Sequence, residues 1–300
     1  MDGENKTTIA KQVFVYYVYT CTSGSAFLFG VAVNLMLIYG FYKTSRPFTI
    51  ITKLFIYLSL CQIVHLIYYA LNAVFATLNM LNSRQFYIIN ASVLYLTVLM
   101  PALTLWAISF LRFLSIYKPM YRVRSGTIYK ILTVEFLVNL LLAFGIGLIY
   151  ALHLTLEAIM VVNLQIGMNL SFVMTFTNFI LNMSSLIILR RSTNSKAQQK
   201  GDGVLANQMV IKRKKMALNT LLLVTVVQLV CTLPATCLSI FYTKLFSDNR
   251  FLIISIIFQC LQVSSFGITS VIIIWRTKKS REFYKIKCCC CLNQSLDTRV

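Results

Sequence analysis

Seven apolar runs, at 13–42, 54–75, 86–111, 131–152, 166–189, 216–242 and 251–275, dominate the chain and leave only short connections between them. Each meets or exceeds the roughly 20 residues that an α-helix needs to cross about 30 Å of hydrocarbon. The pattern predicts an all-α membrane protein: a seven-transmembrane helix bundle followed by a short amphipathic eighth helix. Its helices are expected at 13–42, 54–75, 86–117, 127–152, 166–190, 209–242 and 251–275, between a polar tail at 1–12 and a terminal segment at 277–300. Seven crossings put the two termini on opposite faces.

The charged residues say which face is which. The formal net charge is +20, and almost all of it lies in alternate connections. Lys43, Arg46 and Lys53 flank the first turn, and Lys118, Arg122, Arg124 and Lys130 follow the third run. Arg190 to Lys215 and the terminal segment add most of the remainder. The segments between them are close to neutral. By the positive-inside rule the amino terminus is extracellular and the carboxyl terminus cytoplasmic, in a plasma-membrane protein that crosses many times. A nucleic-acid binder gathers its charge on one soluble face. Here the charge lines one membrane surface, so nucleic acid is excluded as a partner and anionic inner-leaflet lipid is implied.

With 58% hydrophobic residues in 300 and no long polar stretch, no soluble domain is predicted. The opening residues lack the pattern of a cleaved signal peptide, so the first run is expected to act as its own insertion signal. Asn5 opens a glycosylation sequon on the face assigned to the outside. Asn90, Asn169 and Asn182 open sequons in or beside spans, and Asn293 on the opposite face, where modification is not expected. None of the nine cysteines falls in a predicted outer loop, so no outer-loop disulfide is expected. Cys288, Cys289, Cys290 and Cys291 follow a basic-amphipathic stretch and read as palmitoylation sites. A metal cluster is the rival reading, but contiguous cysteines lack the spaced pairs of zinc sites.

The third run ends Ser109-Phe110-Leu111-Arg112-Phe113-Leu114-Ser115-Ile116-Tyr117-Lys118-Pro119-Met120. This resembles the rhodopsin-like G-protein-coupled receptors, whose third helix ends in an acid-arginine-tyrosine triplet and continues to a proline followed by a bulky apolar residue. Arg112, Ile116, Pro119 and Met120 hold the matching positions, which implies contact with a heterotrimeric G protein. Lys212 and Lys215 lead into the sixth helix and are implied in the same coupling face. Asn34 resembles the family's first-helix asparagine, Gln62 stands where its second helix carries an acid, and Cys231-Thr232-Leu233-Pro234 is similar to its sixth-helix Cys-Trp-x-Pro. Pro234 removes a backbone hydrogen bond in mid-span and gives that helix a pivot. Asn34, Gln62, Cys231 and Pro234 are therefore the expected switch residues.

The departures define a divergent branch, similar to the nematode-type serpentine chemoreceptors. Leu111 replaces the acid that restrains the arginine, Lys214 stands where an acid on the sixth helix would be expected, Thr232 replaces the toggle tryptophan, and the seventh run lacks Asn-Pro-x-x-Tyr. Gln62 should abolish a sodium site at that position. Two ionisable residues lie inside runs, where such groups are costly and usually paired. His65 is expected to be neutral and bonded to Tyr69 or a helix carbonyl. Glu135 is expected in an ion pair with Lys130 or the basic face, with a restraint on Arg112 as the bolder alternative.

A small-molecule ligand is expected in the outer half, between the third, fifth, sixth and seventh helices. Leu94 stands where amine receptors place an aspartate, so a monoamine lacks its counter-ion. Tyr68, Tyr69, Tyr95, Ser239, Tyr242, Gln259 and Gln262 are the candidate lining, suited to a weakly polar or apolar molecule. Each alone also reads as an interface anchor or an interhelical bond. No catalytic set, metal-ligand cluster or cofactor motif appears, so an enzyme is not expected. The sequence thus favours a chemosensory-type receptor. A ligand-gated cation channel of odorant-receptor type, or a peptide or lipid receptor, is the alternative.

Overall fold

The computed structural model describes residues 2–45, 49–78, 83–117, 125–153, 156–197, 204–242, 249–278 and 280–284. Its seven long elements are helices: α1 (Asp2–Thr44), α2 (Ile50–Thr77), α3 (Arg84–Tyr117), α4 (Ser125–His153), α5 (Leu156–Ala197), α6 (Val204–Tyr242) and α7 (Asn249–Arg276). The solvent dictates this choice. Hydrocarbon offers backbone N–H and C=O groups no partner, and a helix satisfies them within its own segment. All seven contain a stretch long and apolar enough to cross a membrane, so the architecture is that of a multi-pass membrane protein.

Several helices outrun the predicted spans. α1 begins at Asp2 rather than after a polar tail, α5 starts and ends well outside its apolar run, and α6 starts twelve residues ahead of its run and ends with it at Tyr242. α5 has 42 residues, about 63 Å at 1.5 Å per residue, roughly twice the hydrocarbon thickness. The surplus is polar at the carboxyl end of α5, from Arg190 to Lys196, and mostly apolar at its start, from Leu156 to Leu164. At the start of α2 a side chain caps the helix: Thr49 Oγ1 accepts from the Thr52 amide at 3.2 Å.

The packing order is a closed ring. α1 packs on α2 and α7, α2 on α3, α3 on α5, α5 on α6, and α6 on α7, while α4 stands outside and packs chiefly on α3. α3 is thereby enclosed on three sides. The outer face of α4 is bare, with Leu141 71% and Phe144 70% exposed, which is the surface lipid tails cover. One apolar cluster binds five helices near the basic end: Leu37 and Phe41 of α1, Leu54 and Leu58 of α2, Leu105, Ile108 and Leu111 of α3, Leu221 and Val224 of α6, and Ile273 of α7. Leu111, where the resembled family has an acid, is part of this core.

Lipid tails are as apolar as leucine, so helix association here depends on close fit and interhelical hydrogen bonds. Gly267 shows the fit most plainly. A methyl group there would stand 2.6 Å from Phe29 Cε1 and 3.2 Å from the Gly30 Cα, so α1 and α7 touch nearly backbone to backbone. After a bend at Thr277, residues 278 and 280–284 are helical again and fold back onto α1. The Tyr284 hydroxyl donates to the Met36 carbonyl, the Phe283 and Tyr39 rings lie 5.9 Å apart, and Gly40 leaves the room that the Tyr284 ring fills. Burial pushes the Tyr284 hydroxyl pKa up. These few residues do not establish the expected amphipathic eighth helix, and Cys288 to Cys291 lie outside the described residues.

Candidate functional site

The interior of the ring carries a seam of polar side chains at three levels. Nearest the basic end, Arg112 closes α3. Its Nε is buried without a hydrogen-bond partner. Among the described residues no carboxylate lies within ion-pair distance of it; the exposed Lys278–Glu282 pair at 3.8 Å is the salt bridge found there. Ile116, one turn on, packs against Leu186 and Leu189 of α5 and Leu218 of α6. Lys212 and Lys215 are exposed at the same end. Pro119 and Met120 lie outside the described residues.

Above this, three helices meet at one amide. Asn182 Nδ2 of α5 donates to Ser109 Oγ of α3 at 3.2 Å and to Thr225 Oγ1 of α6 at 3.0 Å. Gln228 Nε2 of α6 donates to Thr269 Oγ1 of α7 at 3.4 Å. Asn34 Nδ2 donates to the Gly30 carbonyl at 2.8 Å, and its Oδ1 accepts from Ser270 Oγ of α7 at 2.8 Å. Gln62 is fully buried and neither polar atom of its amide has a partner. Cys231 is buried and Pro234 interrupts α6. Thr232 spends its hydroxyl on the Gln228 carbonyl at 2.9 Å, one turn below the break that Pro234 makes.

The two ionisable residues in the spans depart from expectation. His65 Nδ1 bonds Thr97 Oγ1 of α3 at 3.2 Å. Tyr69 and Phe266 are only ring neighbours, at 6.4 and 5.3 Å. The Thr97 proton goes to the Leu94 carbonyl at 3.0 Å, which leaves its oxygen to accept and makes Nδ1 the donor of this bond. Glu135 is 8% exposed and makes no ion pair among the described residues. Its Oε1 accepts from Thr104 Oγ1 of α3 at 2.5 Å, and its Oε2 has no partner. The expected pairing with Lys130 fails because Lys130 is exposed whereas Glu135 faces the α3 seam, and Arg112 is likewise not its partner.

The expected ligand lining is divided among several interfaces. The Tyr68 hydroxyl donates to the Asn90 carbonyl at 2.6 Å and also meets Asn90 Oδ1. Asn90 Nδ2 donates to Asn72 Oδ1 at 2.6 Å, and Asn72 donates to the Tyr19 hydroxyl at 3.0 Å. This chain sews α1, α2 and α3 together. Tyr69 packs with Ala26, Leu66 and Val263 between α1, α2 and α7. Tyr95 packs with Ala91 and Ala143 between α3 and α4. Only α7 keeps the expected direction: Gln262 Nε2 reaches Ser171 Oγ of α5 at 3.2 Å, and Gln259 nearby is half-buried. Ser239 and Tyr242 fall on α6, with side chains outside the described set; so does Asn5 on α1.

Buried along α5, α6 and α7 are instead Ser171, Thr175 and Asn178, Thr232 and Thr236, and Ser265 and Thr269; Ser171 and Thr269 make the bonds to Gln262 and Gln228. Asn178 Oδ1 is unpartnered. Sequence reading weighed tyrosines and glutamines and passed over these small hydroxyls. Their signal was present: Ser171, Thr175, Asn178, Asn182 and Ser185 recur every three or four residues, the stripe of one helix face.

Neither a family model nor a curated protein matches this chain. The site therefore rests on its own geometry.

Proposed function

We propose that the chain is a cell-surface receptor of the rhodopsin-like, G-protein-coupled kind, of chemosensory type, for a small, weakly polar or apolar molecule. The observation that carries this reading is Arg112: a guanidinium at the end of the enclosed helix, free of any carboxylate among the described residues, beside Ile116 and the α5–α6 contact. Nothing in a purely structural bundle requires a cation with an unpartnered buried nitrogen there, whereas a docking protein that brings acceptors would satisfy it.

The α5–α6–α7 seam supplies the ligand end. Gln262 clasps Ser171 across the face of α6, and a ligand with one or two acceptors replaces that clasp at small cost. Interhelical bonds tie α6 to Asn182 of α5 and to Thr269 of α7. Such bonds are worth about 0.6 kcal/mol each in a membrane, so the swing of α6 about Pro234 is opposed by roughly 1 kcal/mol of hydrogen bonding. That lies within the differential affinity of a small ligand for two bundle conformations. It is also low enough for the ligand-free receptor to visit the open form.

The test is guanine-nucleotide exchange on a panel of Gα subunits, in membranes carrying the wild-type chain or Arg112→Ala. Basal exchange above mock membranes is expected for the wild type and its loss for the variant at equal surface expression. Equal exchange in wild type, variant and mock on every Gα would overturn the reading.

A further inference from the structure

The α3–α4 interface holds polar groups that the receptor reading does not use. Two contacts fix its register. Thr104 meets Glu135, and Ser92 Oγ lies against Gly147, where an added methyl group would oblige that hydroxyl to turn away. The helices run antiparallel, so these contacts set Asn139 opposite Met100, between the Thr97 and Thr104 levels of α3. Glu135, Asn139, Ala143 and Gly147 are spaced every four residues and form the α3-facing stripe of α4. Ala143 and Gly147 allow close approach at one end, and the other end is polar. Asn139 is 0% exposed, and neither its Oδ1 nor its Nδ2 has a partner.

α3 contributes a further acceptor at this level. Pro101 lies inside the helix, on the same stripe as Thr97 and Thr104. A proline has no N–H, so the Thr97 carbonyl lacks its intrahelical donor. Thr104 adds a hydroxyl whose single proton faces two acceptors, the Met100 carbonyl at 2.7 Å and Glu135 at 2.5 Å. From α2, His65 is engaged with Thr97. No cationic side chain balances the carboxylate among the described residues.

We infer that this α2–α3–α4 junction binds a hard monovalent cation of sodium's size, held by the Glu135 carboxylate, Thr104 Oγ1, Asn139 Oδ1 and the Thr97 carbonyl freed by Pro101. The chemistry selects the ion. One negative charge and neutral oxygens suit a monovalent ion, whereas divalent cations demand more carboxylates. Among the described residues no three of the His, Cys, Asp and Glu side chains cluster as a transition metal would need. An uncompensated carboxylate in a span is expensive. A proton on Glu135 would relieve the charge but leave Asn139 and the Thr97 carbonyl unserved, while a cation draws in every unpaired acceptor. The site is separate from Gln62, and its test reads no signalling, so it stands or falls apart from the receptor proposal.

The measurement is thermal unfolding of the full chain in nanodiscs, in sodium chloride against choline chloride at constant ionic strength. Sodium at about ten times its dissociation constant should raise Tm by roughly 2–4 °C. The rise should vanish in Glu135→Gln, which keeps the Thr104 contact and removes the charge, and shrink in Asn139→Leu. Equal Tm values for the wild type in the two salts, or a full rise in Glu135→Gln, would overturn the site. A Tm that follows pH but ignores sodium would likewise overturn it in favour of a proton. Should Glu135→Gln not insert, excess sodium-23 line broadening on wild-type nanodiscs over empty ones decides. Its presence, competed by lithium, supports the site, and its absence overturns it.

Discussion

Asn182 shows how much a single amide does in this interior. Its two donated bonds are the point at which α3, α5 and α6 are joined by side chains. Asn182→Leu keeps the branched heavy-atom skeleton and removes both bonds, at a cost of about 1 kcal/mol on the scale measured for interhelical bonds. A Tm lower by roughly 2–4 °C is expected, with a rise in basal nucleotide exchange because α6 loses this tie. An unchanged Tm would mean that the bonds are replaced by others within the bundle. The same burial bears on modification. Asn182 is 0% and Asn90 7% exposed, with their amides committed, so neither sequon is open to a glycan. Asn5→Gln should abolish the glycan shift of the chain on a gel, and Asn90→Gln should leave it intact.

At the scale of elements, the sequence disclosed which segments are helices and little of how far they run. Hydropathy marks what hydrocarbon covers, and it is silent on polar turns that continue a helix into water. That is why α1 and α6 start ahead of their apolar runs and α5 continues past Leu189. Facing was legible only where a pattern was looked for. The tyrosines of α2 and α3 turn toward neighbouring helices because each lies on a packing stripe, and residue type alone carries no direction. Pro101 and the four-residue stripe from Glu135 to Gly147 were present in the sequence, yet their meaning needed the α3–α4 register. Helix contact gives a further prediction. Gly267→Val should drive α7 from α1, since its branches would meet the Phe29 ring and the Gly30 backbone. A large loss of folded, surface-exposed protein is expected by surface labelling, whereas Gly24→Val, where nothing lies within 4 Å, should be tolerated.

For the molecule as a whole, ring order separates two tasks. α5, α6 and α7 share a seam of small hydroxyls and the Pro234 break, while α1, α2 and α3 are sewn by the Tyr19–Asn72–Asn90–Tyr68 chain and by Asn34–Ser270 to α7. Among the described residues the second group carries more interhelical hydrogen bonds than the first. α4 takes part in neither, being fastened to α3 from the lipid side. Its position has a consequence for biosynthesis. A lone carboxylate in mid-span raises the insertion cost of a helix by about 3 kcal/mol, and α4 follows α3 out of the ribosome. Thr104 is already in the bilayer when Glu135 arrives, so the pair is best delivered as a hairpin, with the earlier helix serving as a polar berth for the later one.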